Sequence, residues 1–270
     1  MQICLLMLLS LAFVLAGAFG ASARTADTIA VTILYDNYAF AEGLETDWGF
    51  SCIVRGTQKT VLLDTGAKRD IFLRNIEKLN VDPNDVESVV ISHNHGDHTG
   101  GLTAFLEKQS DVSIYLPISF PQAFVQQVRG TGAEVISVDE PVEICRDVYL
   151  TGEMGDRIKE QALILDTDRG LVVITGCSHP GIVNILKRAR EALDRDIYLV
   201  FGGFHLLRKS DDQVREIVGQ FRDLGVQKVG ATHCTGDKAI AIFREAYGVD
   251  FVEMGVGKVI EVPARIPAPR

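Results

Sequence analysis

All six histidines of this chain lie just beyond short apolar runs, and three of them fall within six residues, His93-Asn94-His95-Gly96-Asp97-His98. The run Val89-Val90-Ile91 before that hexapeptide reads as a buried strand that delivers the imidazoles to a strand end. The remaining three repeat the plan. Leu171 to Thr175 leads into Gly176-Cys177-Ser178-His179, Ile197 to Phe201 into Gly202-Gly203-Phe204-His205, and Val229 to Ala231 into Thr232-His233-Cys234. One His after a strand is more often a hydrogen-bonded packing residue than a ligand. Four such loops that hold every imidazole of the chain constrain the fold further, because they predict strands arranged so that the loops gather at one sheet edge.

Imidazoles and a carboxylate in this pattern read as a metal site, and the spacing predicts two ions. His93 and His95 can converge on one, while Asp97 and His98, across the bend of the loop, converge on a second. His179 and His233 are the further candidate ligands, and His205 either ligates or lines the site. Nitrogen with carboxylate suits two divalent ions, zinc first, with manganese, iron or magnesium as alternatives. Cys177 and Cys234 each neighbour a candidate ligand, so either is a thiolate ligand or a small buried side chain that fills a tight loop. Asp64, just after an apolar run, is placed to hydrogen-bond a ligand His from behind, or else is a turn former ahead of Gly66.

The chain has 270 residues, 47% hydrophobic and 23% charged, enough for one large domain or two small ones. A net charge of −9 with no Lys/Arg run argues against a nucleic-acid partner and leaves a small-molecule substrate as the expected one. Residues 1–23 carry no charged side chain and end in Ala21-Ser22-Ala23, the pattern of a secretory signal peptide. The expectation is therefore export to a periplasmic or external compartment, with residues 24–270 as one mature domain. An uncleaved anchor is the alternative, and only then is the membrane a partner. Export would leave Cys52, Cys145, Cys177 and Cys234 where disulfides are permitted but not demanded.

After the leader the pattern is β-rich (29–35, 50–55, 60–64) and then alternates helices with strands. Helices are predicted over 70–79, just after Gly101, over 122–129 and from Ile182 to Leu193, where apolar residues recur at 3.6-residue spacing. Strands are predicted up to Ser92 and over 113–116, 134–138, 161–166 and 171–175. The last two alternate in a way that suits a sheet with one solvated edge. Strand-like residues 251–262 close the fold, and 263–270 read as a loose tail. Gly255-Val256-Gly257-Lys258 lacks the spacing of a phosphate-binding P-loop and reads as a strand turn.

His93-x-His95-x-Asp97-His98 after an apolar strand, preceded by Asp64-Thr65-Gly66, resembles the metallo-β-lactamase superfamily from about Ile29 to Val262. The resemblance implies an α/β fold, the αββα four-layer sandwich, with His179 and His233 as the later ligands. Many members place an Asp bridging both metals after a strand ending in Gly. Here Gly176 is followed by Cys177, so either Cys177 takes that position or no residue bridges; a carboxylate near Glu160 could compensate, or Glu160 is a surface residue on a strand edge. Asp36-Asn37, Trp48-Gly49, Gly176 to Gly181, Gly202 to Leu206 and His233 to Gly236 narrow the likeness to the dihydropterin–ribofuranosylaminobenzene-phosphate synthase branch.

The superfamily's chemistry implies a dimetal hydrolase that lowers the pKa of a water from ~15.7 toward ~7, with Asp97 both ligating and steering it. The substrate would be a small ester, lactone, amide or phosphoester. Two alternatives stand beside it: a transferase that forms a C–N bond on a dihydropterin-type substrate with diphosphate leaving, and a non-catalytic or redox-responsive metal-binding protein using Cys177 and Cys234. Aromatic residues in the loops 37–48 and 120–124 would suit a planar group in the pocket, or belong to the core.

Overall fold

In a computed structural model that describes residues 27–265, two sheets stack face to face with helices on both outer surfaces. The chain begins with β1 (Thr28–Tyr35), β2 (Ser51–Arg55), β3 (Val61–Leu63), α1 (Arg69–Lys78) and β4 (Ser88–Val90). Two short helices follow, α2 (Gly96–Thr99) and α3 (Leu102–Leu106), then β5 (Ser113–Pro117), α4 (Gln122–Arg129) and β6 (Glu134–Val138). The second half holds β7 (Val142–Cys145), β8 (Val148–Leu150), β9 (Leu163–Thr167), β10 (Gly170–Thr175) and α5 (Ile182–Leu193). It closes with β11 (Ile197–Gly203), α6 (Asp211–Asp223), β12 (Lys228–Thr232), α7 (Asp237–Tyr247) and β13 (Val259–Pro263). The first sheet runs β13-β1-β2-β3-β4-β5-β6 and the second β12-β11-β10-β9-β8-β7.

Alternation of side chains along each strand divides the core into three layers. Val31, Ile33, Leu163, Leu165, Val172, Ile174 and Phe201 fill the space between the sheets. On the intervening positions, Leu171 and Val173 face Ile185 and Leu186 of α5 and Phe221 of α6. Under the first sheet, Leu62, Val89 and Ile91 pack against Phe72, Ile76 and Phe105. Every residue of β9 and β10 is therefore buried, which corrects the expectation of a solvated edge there: the face read as solvated lies beneath α5. The hairpin β7–β8 lies outside the sequence-predicted elements, and of residues 251–262 only the end forms a strand. Gly257 donates its N–H to the Ile33 carbonyl, so the Gly255 to Lys258 segment serves as a turn against β1.

The parallel strands β3, β4, β10, β11 and β12 all point their carboxyl ends at the same region, where the histidine loops emerge. The loop after β4 is held tightly from behind. A Cβ on Gly100 would stand 1.9 Å from the Ala67 carbonyl oxygen, a backbone atom that cannot swing away. Gly100→Ala is expected to cost about 1–3 kcal/mol through overpacking, read as a lower urea midpoint; an unchanged midpoint would show that the loop does not dock as described.

The predicted leader, residues 1–23, and residues 266–270 of the predicted tail lie outside the described residues. Among the described residues no helix is long and apolar enough to cross a membrane, and the four cysteines are free and buried.

Candidate metal centre

Asp64, the residue after β3, has a left-handed backbone conformation (φ 54°) that turns its carboxylate back under the histidine loop. One oxygen accepts the Ser92 N–H at 2.7 Å, and the other accepts the Ser92 hydroxyl at 2.7 Å and His98 Nδ1–H at 2.6 Å. The Ser92 proton is thereby committed to Asp64, so Ser92 Oγ must accept from His93 Nδ1, 3.0 Å away. One buried carboxylate thus places the Nδ1 protons of two imidazoles and turns Nε2 of both His93 and His98 toward the site. Asn37 does the same for His233. Its Oδ1 accepts His233 Nδ1–H at 2.9 Å and Gly49 N–H at 3.1 Å, while its amide donates to the His233 carbonyl at 3.2 Å.

The donor atoms meet in two groups. His93, His95 and His179 bring their donor atoms within 4.8 Å of one another, and Asp97, His98, Cys177 and His233 form the second such set. His93 Nε2 lies 3.0 Å from His95 Nδ1; Cys177 Sγ lies 3.3 Å from both His98 Nε2 and His233 Nε2; Asp97 Oδ2 lies 3.5 and 3.4 Å from those nitrogens. Ligands held at ~2.0–2.3 Å from one zinc ion are separated from each other by about this much. His179 Nε2 is buried with no hydrogen-bond partner, an orphan acceptor that a cation would satisfy.

The electrostatics match. Burial and the neighbouring imidazoles hold His93 well below the ordinary His value, and burial with His205 and His95 brings His179 down to about 4, so both are neutral donors. Burial opposes charge on His98, yet the carboxylates of Asp64 and Asp97 overcome it and raise the imidazole to about 10. Asp97 is likewise held well below the carboxylate range: burial opposes its ionisation, and His233 and His98 outweigh burial. Without a bound ion, His98 therefore holds a second proton between the Asp64 and Asp97 carboxylates, and a divalent cation would displace that proton and take over its charge. Residues of both groups fit divalent metal ions by donor type and spacing.

Glu160 departs from both readings the sequence offers, while Cys177, His205 and the Phe120–Phe124 loop each fall on one of the alternatives it leaves open. Glu160 is neither on the surface nor within either donor group; fully buried, it accepts the backbone N–H groups of Cys177, Ser178 and His179 at 2.7–2.8 Å and shapes that loop. Burial pushes its carboxyl up to about 7 against the pull of those donors. Cys177 joins the second group only, rather than standing between both. His205 belongs to neither; with Cys177 and Cys234 it forms a third cluster, and its ring lies 4.3 Å from that of His179. Phe120 and Phe124 pack on each other in the core under the first sheet and are not among the residues that line the cavity over the centre. Asp36, which the sequence marked only as part of a motif, is fully buried and takes the Thr232 hydroxyl at 2.8 Å, anchoring the His233 loop.

A cavity of about 650 Å³ opens directly over the centre. Its lining combines His95, His179, His205 and Cys234 with the apolar Trp48, Ile158 and Leu207 and the cationic Arg208 and Lys209. The Trp48 ring lies 5.0 Å from that of His233 and is about half exposed.

A family model described as the metallo-beta-lactamase superfamily matches residues 49–183, half of the chain. The chain belongs to that superfamily. A solved superfamily structure described as a metal-dependent hydrolase is 33% identical, with a TM-score of 0.73 over 87% of this chain and 99% of that one. A Methanocaldococcus jannaschii protein named 7,8-dihydropterin-6-methyl-4-(beta-D-ribofuranosyl)-aminobenzene-5'-phosphate synthase is 27% identical over 87% of this chain and 97% of its own length. Human tRNase Z, short form, shares the superfamily fold at 16% identity and a TM-score of 0.59. The chain is accordingly a superfamily enzyme whose relatives include both a synthase and hydrolases.

Proposed function

We propose that this superfamily member is a metal-dependent transferase that joins an aromatic amine to the methylene carbon of a dihydropterin-type substrate, with diphosphate leaving. The observation that carries it is the composition of the cavity. In a chain of net charge −9, no carboxylate lines the space beside the donor groups, while Arg208 and Lys209 do, together with Trp48. An anionic leaving group fits the cations and a planar ring fits the indole face. The likeness to the archaeal synthase over nearly its whole length supports the same reading.

His93, His95 and His179 would hold one divalent ion, and Asp97, His98, Cys177 and His233 the other. Ions bound there supply Lewis acidity that neutralises charge building on the departing diphosphate. Asp64 and Asn37 keep the imidazoles in the ligating tautomer, and Glu160 holds the Cys177 to His179 turn. Arg208 and Lys209 bind the diphosphate, and Trp48 and Leu207 shield the reacting carbon from water. In the reaction the amine nitrogen forms the new bond to carbon, the carbon–oxygen bond breaks with its electron pair leaving on diphosphate, and the amine releases one proton.

The test measures diphosphate release from a dihydropterin methyl diphosphate with and without 4-(β-D-ribofuranosyl)aminobenzene 5'-phosphate, each with and without chelator. Release that needs both the amine and metal is expected. Metal-dependent release without the amine would replace this reading with hydrolysis, the activity in the description of the 33%-identical relative. Arg208→Ala/Lys209→Ala is expected to raise the KM for the diphosphate substrate about tenfold or more, the loss of about 1.4 kcal/mol of binding, with a smaller change in kcat. An unchanged KM would remove these residues from the substrate site.

A further inference from the structure

We infer that Cys177 and Cys234 form a redox-active dithiol, an oxidation site that can withdraw Cys177 from the second donor group. The two residues come from different loops, one after β10 and the other after β12, 57 positions apart. Their sulfurs lie within 4.8 Å, and Cys234 Sγ reaches to 3.5 Å from the Cys177 carbonyl. Gly203 on the intervening strand makes room for this approach, since a Cβ there would stand 2.7 Å from Cys234 Sγ and 2.4 Å from the Gly176 carbonyl oxygen.

Access distinguishes this pair from the other thiols. Cys52 and Cys145 are also buried, but they pack in the core between the sheets, and neither lines the cavity over the metal centre. Cys234, though only 3% exposed, lines the 650 Å³ cavity, which is the side from which an oxidant would approach it. Cys177 lies behind it, against His98 and His233. The order of events follows. A small-molecule disulfide such as oxidised glutathione exchanges at Cys234, releasing one glutathione and leaving a mixed disulfide. Cys177 sulfur then attacks the Cys234 sulfur, the mixed bond breaks, and a second glutathione leaves. The protein gives up two electrons and two protons, and the oxidant takes up both.

The bond requires the sulfurs to close from within 4.8 Å to ~2.05 Å. That shift draws Cys177 Sγ toward Cys234 and leaves Asp97, His98 and His233 as a three-donor set. This consequence rests on the ligand assignment proposed above, whereas the dithiol itself does not.

The experiment treats the full chain, chelated or zinc-loaded, with oxidised glutathione, alkylates the remaining thiols and maps tryptic peptides without reduction. The expected product links Gly170–Lys187 to Val229–Lys238, 2 Da below the sum of the two peptides, with Cys52 and Cys145 alkylated. It should form at least about tenfold faster in the chelated protein and be absent from Cys234→Ser. Persistent glutathione adducts on Cys234 with no cross-link would overturn the proposal. Cross-linking at equal rates with and without zinc, with zinc fully retained, would uphold the dithiol and overturn Cys177 as a ligand.

Discussion

Asp97→Ala is expected to lower turnover by about 10³-fold or more, the equivalent of about 4 kcal/mol of transition-state stabilisation. Asp97 supplies the one carboxylate in the second donor group, its Oδ2 3.4–3.5 Å from two ligand nitrogens. Without it, the second ion would rest on two imidazoles and a sulfur, and the charge that favours a dication there falls by one unit. Single-turnover measurement of diphosphate release, with metal content determined on the same sample, checks the expectation. Turnover near that of the native chain would contradict the role given to Asp97.

Asp64→Asn is expected to weaken metal binding by about 10–100-fold although Asp64 belongs to neither donor group. The carboxylate accepts three hydrogen bonds while fully buried, one on Oδ1 and two on Oδ2. An amide has one acceptor oxygen, so its nitrogen must face the Ser92 N–H, or else the Ser92 hydroxyl and His98 Nδ1–H. Either choice sets donor against donor and releases an imidazole tautomer. The mismatch should also cost about 1–3 kcal/mol of stability. Zinc affinity by chelator competition and the urea midpoint read the two effects separately. Native-like affinity with a lowered midpoint would reduce Asp64 to a structural residue.

Much of this centre was legible because its parts lie close in sequence. The hexapeptide His93 to His98 already predicts two converging pairs, and the pairs fall into separate donor groups with the partition expected from their spacing. Helices α4 and α5 begin and end where their apolar periodicity does, because packing and period agree there. Long-range partners were harder to read. Asn37 meets His233 across 196 positions, and nothing local to Asn37 signals that contact beyond its place in a motif. Glu160 was misjudged because a carboxylate on a strand edge is usually solvated; here three backbone N–H groups of the Cys177 loop offset its burial. The hairpin β7–β8 escaped because strands of four and three residues carry too little periodicity to stand out. Phe120 and Phe124 illustrate the converse, since aromatic content alone does not distinguish a pocket wall from a core.

Metal content per chain tests the central claim most directly. Elemental analysis of the purified protein after zinc loading and desalting is predicted to give two ions in the native chain. It should give one in His93→Ala/His95→Ala and one in Cys177→Ala/His233→Ala, with circular dichroism unchanged in both. Background metal in the native chain, or two ions retained in both paired variants, would contradict the account.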